Sequence, residues 1–114
     1  GILNILSMEM SDQALAIFDV EAQEDAGAQV REVISRIHPD DAPRVRETWR
    51  ESRARHAEHV VEYRIVRRDK SVTHVQVKEK LDHIDDDGVM TMFGTLKDIT
   101  QWVESNQAIQ TALL

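Results

Sequence analysis

The chain has 114 residues, no cysteine and a formal net charge of -7. That length suits one domain with a small core, and the missing cysteine excludes disulfides, thiolate metal sites and cysteine chemistry. The acidic balance disfavours nucleic acid or an anionic membrane as the main partner, and neither a membrane-spanning apolar run nor a signal-peptide pattern occurs.

Every Lys and Arg except Lys97 falls between Arg31 and Lys80, a bias that reads as a solvated helix face, with contact to an acidic neighbour as the alternative. Ile5 to Met10 is strand-like. Ser11 offers an N-cap for a short helix, with Asp12 in its first turn and Leu15 and Phe18 on one face. Glu21 to Gly27 is polar and loop-like. Ala28 to Ile37 reads as a second helix, apolar at Val30, Val33, Ile34 and Ile37. In "HPDDAP", Pro39 pushes His38 into an extended conformation. Asp40 is placed to cap the next helix, with Asp41 in its first turn, where Pro43 is tolerated. That helix runs to about Ala57 and carries one stripe, Val45, Thr48, Trp49 and Ser52.

The remainder is β. Val61, Tyr63 and Ile65 share one face of a strand whose other face carries Glu62 and Arg64. Asp69 to Ser71 is a turn. Val75, Val77 and Leu81 then alternate with His74, Gln76 and Lys78. Asp85 to Gly88 is a second turn and Val89 to Leu96 a third strand. Tight turns between three strands give an antiparallel meander with one wet face. With the helices preceding it, the fold class is α+β, helices packed on one face of the sheet.

Four stretches carry a resemblance: "SDQALAIFDV", "RIHPDD", "EYRIVRRDKSVTHVQV" and "GTLKDIT". In this order and spacing the chain resembles a PAS domain of the class found in bacterial sensor kinases and cyclic-dinucleotide enzymes, over Leu6 to Thr100. Residues 1–100 are then the sensor domain and 101–114 the start of a C-terminal signalling helix. Three departures stand out. Lys70 occupies the turn position where the family has Gly, so a rearranged turn is expected, since a left-handed Lys costs roughly 1 kcal/mol more than Gly. His74 stands where an aromatic is common. Only Gly1 to Asn4 remain for the strand that opens the family's sheet.

The resemblance implies a cytoplasmic sensory or dimerisation module of a larger signalling protein, a histidine kinase or cyclic-dinucleotide enzyme, and not an enzyme in itself. A small-molecule ligand would lie between sheet and helices, against Met10, Phe18, Ile37, Val45, Trp49, Tyr63, Ile65, Val77 and Met92. The same residues equally suit a filled core. Flavin photochemistry and thioester-linked pigments both need a cysteine and are excluded, leaving the cofactor unknown. Haem would have to use His56, whose position near a helix C-terminus also suits its partial positive charge. His56 and His59 make no metal site, because strand character begins near Glu58, and "DHIDDDG" lacks the alternation of a calcium loop. Two alternatives stay open: a ligand-free module that only pairs subunits, and a small enzyme with a carboxylate base, for which Glu79 is the candidate.

Asp98, Ile99 and Thr100 form the family's exit motif. There the carboxylate is expected to tie the last strand to the sheet through Arg64 or Lys80, and Thr100 to cap the next helix. From Ile99, the positions Trp102, Asn106, Ile109 and Leu113 follow the three-four spacing of a coiled-coil seam, with Asn106 at a register-fixing position. A homodimer is expected, its helices directed toward an output domain.

Overall fold

A computed structural model describes residues 10–88 and 90–113, without the side chains of Met90 and Met92. The strand expected from Ile5 lies outside the described residues except for Met10, which belongs to no element. Helix α1 (Asp12–Phe18) starts as its sequence dictates, with the Ser11 hydroxyl accepting from the Ala14 N–H at 3.1 Å. Helix α2 (Ala26–Ser35) begins two residues before the expected start because Asp25 caps it, accepting from the Ala28 N–H at 3.0 Å.

Helix α3 (Ala42–Arg55) corrects two expectations. Asp41, not Asp40, is its N-cap residue, and its carboxylate makes no cap hydrogen bond. The helix also stops at Arg55, because His56 turns left-handed at φ 50°. Before it, the extended segment dictated by Pro39 is put to use. His38 N–H donates to Arg64 O at 2.9 Å, Val66 N–H donates to Arg36 O at 2.7 Å, and Ile37 bridges Ile65. These bonds cover the free edge of the first strand.

Strands β1 (His59–Val66), β2 (Val72–Ile84) and β3 (Met90–Asp98) form an antiparallel sheet in sequence order. The register sets His59 opposite Glu79, Val61 opposite Val77 and Tyr63 opposite Val75, then Val77 opposite Leu96 and Glu79 opposite Gly94. Side-chain alternation puts these residues on one face, and helices α1 to α3 lie on that side. The core joins Leu15, Phe18, Val33, Val45 and Trp49 to Val61, Tyr63, Ile65, Val75 and Val77. The α+β fold is as expected from the pattern. Trp49 is buried, as its place on the α3 stripe requires.

The first hairpin turn is not rearranged. Lys70 takes φ 73° itself. The Asp69 carboxylate holds the turn by accepting from Ser71 N–H at 2.9 Å and its hydroxyl at 2.5 Å. At the second turn Gly88 supplies φ 79°. Helix α4 (Thr100–Ala112) follows β3 directly. Among the described residues no helix is long and apolar enough to cross a membrane.

Candidate functional site: the cleft under the sheet and the exit helix

Between the sheet and helices α1 to α3 lies a cleft of about 380 Å³. Six of the sequence-proposed positions line it: Met10, Phe18, Ile37, Trp49, Tyr63 and Val77. Val45 and Ile65 do not, being fully buried in the packed layer beneath. The Met92 side chain lies outside the described residues. Ile17, Val33, Ile34 and Leu96 complete an apolar wall, and Ser11, Gln13, Thr95 and Glu79 bring polar atoms to it. Phe18 and Tyr63 pack tilted, with ring centroids 6.5 Å apart. Burial, and then the charge of Glu79, push the Tyr63 phenol above its ordinary value, so it stays a neutral O–H.

Glu79 is the acidic member of this wall. Its side chain is 13% exposed and its Oε1 lies 3.7 Å from Nε2 of His59, a distance beyond hydrogen bonding. Both ring nitrogens of His59 are buried without a hydrogen-bond partner among the described residues. Across the other strand pair stands Gly94. A Cβ there would come within 2.1 Å of the Lys78 carbonyl oxygen and 2.9 Å of Glu79 Cα and Cγ. The Glu79 side chain therefore lies over bare backbone. Glu79, His59 and Gly94 share strand phase with buried neighbours, and that phase was the available signal for their inward placement.

His56, the residue expected to serve any haem, is exposed at the α3 C-cap and does not line the cleft. No group of His, Asp and Glu among the described residues is arranged to hold a metal ion.

Two carboxylate–guanidinium clamps fix the frame, and neither was expected. Asp41 accepts from Arg64 through the backbone N–H (2.8 Å), Nε (3.0 Å) and Nη2 (2.8 Å). Asp19, left-handed at the end of α1, repeats the pattern with Arg68: N–H 2.8 Å, Nε 3.1 Å, Nη2 2.9 Å. Bidentate pairing of this kind is strong and geometrically specific. The Arg64 hydrogen bonds pull the Asp41 carboxyl down to about 2 against the opposing cost of burial. Those of Arg68 hold Asp19 far below the carboxylate range.

Because Arg64 is engaged by Asp41, it is not the partner of Asp98. Among the described residues no ion pair joins Asp98 to a basic side chain, Lys80 included. Its carboxylate instead accepts from the Thr100 N–H at 2.9 Å and hydroxyl at 2.6 Å. Thr100 is the first residue of α4 rather than its cap. Its hydroxyl oxygen accepts from His74 N–H at 2.9 Å, while Ile99 N–H donates to His74 O at 2.8 Å. The first turn of α4 is thus hydrogen-bonded to β2. Ile99 is buried, and Val103 and Gln107 on its side of the helix share a groove with His74 and Val75. Trp102, Ile109 and Leu113 stay 64%, 58% and 77% exposed, and Asn106 is exposed among them.

The family model described as the PAS fold matches residues 7–96. The chain belongs to the PAS fold family. Solved structures agree with that membership. A sensory box histidine kinase/response regulator from Burkholderia thailandensis is 25% identical at a TM-score of 0.56, the match covering 67% of this PAS domain's chain and 58% of the other. The chain thus spans less than two thirds of that structure. The N-terminal domain of a diguanylate cyclase with PAS/PAC sensor from Marinobacter aquaeolei is 22% identical at a TM-score of 0.58, covering 78% and 80%. A light-oxygen-voltage domain from a study of a flavin analogue is 18% identical at 0.59, covering 91% and 76%. Comparison with curated proteins finds no match.

Proposed function

We propose that this PAS domain is the sensory and dimerisation module of a signalling protein of the histidine kinase or diguanylate cyclase kind. A small ligand occupies the cleft, and its presence alters packing beneath the sheet. The change reaches Asp98, Ile99 and Thr100 and reorients α4, whose outward stripe pairs with a second copy. The module does not itself catalyse a reaction.

The observation that carries this reading is the division of α4 into two sides. Its first turn is bonded to β2 through His74, while Trp102, Ile109 and Leu113 face solvent in the same helix. An apolar stripe on an exposed helix stabilises nothing within its own chain and suits a partner helix. The resemblance in fold to a sensor histidine kinase and to the sensor domain of a diguanylate cyclase supports the signalling context.

Sedimentation equilibrium tests it. The wild-type chain should be a dimer at tens of micromolar, and the Trp102→Glu/Ile109→Glu variant a monomer with an unchanged far-UV spectrum. A wild-type chain that stays monomeric at high micromolar concentration refutes pairing through α4.

A further inference from the structure

Resting on the reading that the cleft holds a ligand, we infer that the ligand is an amphipathic cation: a short apolar body with an ammonium-like, hydrogen-bond-donating head that docks on Glu79. The cleft is small, near the lower end of the range for small-molecule sites. Its wall is predominantly apolar. Among the described residues lining it, Glu79 is the single carboxylate, and no Lys, Arg or His joins it. The chain carries fourteen basic side chains, yet none reaches this wall.

A carboxylate at 13% exposure ordinarily has hydrogen-bond donors. Glu79 has none among the described residues. The nearest imidazole, that of His59, stands off at 3.7 Å, with both ring nitrogens buried and unpartnered among the described residues. This histidine is too distant to hydrogen-bond the carboxylate. Glu79 lines the cleft, and among the described residues its acceptor capacity is unused. Gly94, opposite Glu79 in the register, leaves that side chain uncovered. At position 94 a side chain is barred first by the Lys78 carbonyl oxygen, 2.1 Å from an added Cβ, and then by Glu79 Cα and Cγ at 2.9 Å, so no side chain from that position covers Glu79. Tyr63, held as a neutral phenol on the same wall, adds a polar group without adding charge.

Matched ligands of one chain length decide the head group. Isothermal titration calorimetry with n-hexylammonium, n-hexanol and n-hexanoate at low salt and neutral pH compares three heads on one body. Hexylammonium should bind at least about tenfold more tightly than hexanol, as expected for a charge-assisted hydrogen bond, and hexanoate most weakly. In Glu79→Gln, which keeps the shape, the ammonium preference should vanish while hexanol binding stays the same. Equal binding of all three heads, a preference for hexanoate, or an ammonium preference that survives in Glu79→Gln overturns the inference but leaves a ligand-binding cleft. Failure of all three to bind overturns the cleft reading itself. If the variant does not fold, the order of the three heads on the wild-type chain still decides.

Discussion

Gly94 and Gly27 invite the same substitution with different outcomes. At Gly94 the added methyl would lie 2.1 Å from the Lys78 carbonyl oxygen, and backbone on both sides of that contact belongs to paired strands. Relief requires β2 and β3 to move apart at the centre of their ladder. Overpacking of this kind costs about 1–3 kcal/mol, and a backbone obstacle places Gly94→Ala near the upper end. The reduced chain entropy of Ala offsets only about 0.5–1 kcal/mol. A net loss of about 2 kcal/mol is expected. At Gly27, within α2, the added methyl would meet only the ends of two side chains, Arg31 Nη1 at 3.2 Å and Asp25 Oδ1 at 3.3 Å. Arg31 swings away freely, but Asp25 Oδ1 is held as the cap acceptor for the Ala28 N–H, so the helix preference of about 0.5–1 kcal/mol for Ala is largely offset and Gly27→Ala should be close to neutral. Urea unfolding followed by circular dichroism measures both. With a slope of about 2 kcal/mol per molar, Gly94→Ala should move the midpoint down by about 1 M at unchanged slope. A Gly94→Ala protein as stable as wild type would show that β3 does not pass so close to Glu79, and would remove the steric support for that side chain's placement.

Lys70→Gly should raise stability by about 1 kcal/mol, because Lys70 holds φ 73° in the turn; a drop in the thermal midpoint would contradict this. Trp49→Ala should cost about 3–5 kcal/mol by denaturant titration, since the ring is buried between α3 and the sheet. Acid should destabilise the fold through the two clamps. A carboxyl depressed in the folded state contributes stability above its unfolded value and loses it as pH falls through the folded one. For Asp41 that window runs from the ordinary 3.8 down to about 2. A stability–pH profile should therefore fall across it, and more shallowly in Asp41→Asn. Asp41→Asn should itself lose about 2 kcal/mol at neutral pH, the scale of hydrogen bonds to a charged group.

The meander was legible because its period has one interpretation. Val61, Tyr63 and Ile65, then Val75 and Val77, alternate with polar residues, and a slip of one position would expose them all. The α3 stripe was legible for the same reason, through Val45, Trp49 and Ser52. The clamps were not legible, because no local pattern announces them. Asp41 meets Arg64 across 23 residues and Asp19 meets Arg68 across 49. Local rules read Asp41 as a helix-start residue, which it is, and pass over Asp19 and the long-range use of both carboxylates. Lys70 illustrates tertiary override. Propensity argues against a left-handed Lys, but the Asp69–Ser71 bonds and the strand pairing on either side hold the turn in place. At the exit the motif was legible and its wiring was not. Thr100 looks like an N-cap by residue type, yet its hydroxyl accepts from the His74 N–H of β2.

That wiring makes β2 the element the cleft and the exit helix share. Val77 and Glu79 line the cleft, and His74 and Val75 border the groove under α4, all on one strand. Five residues separate Glu79 from His74, about 17 Å of extended backbone. Under the proposed reading, a head group drawn toward Glu79 acts on the strand that holds Thr100. A shift of β2 that breaks both bonds through His74, from its N–H to Thr100 and from the Ile99 N–H to its carbonyl, frees the first turn of α4 but leaves it covalently joined to β3. The ligand can bias this movement only by the difference in its affinity for the two arrangements. At about 1 kcal/mol net for each of the two bonds, a Glu79 contact made in only one arrangement and worth tenfold in affinity, about 1.4 kcal/mol, offsets most of their loss.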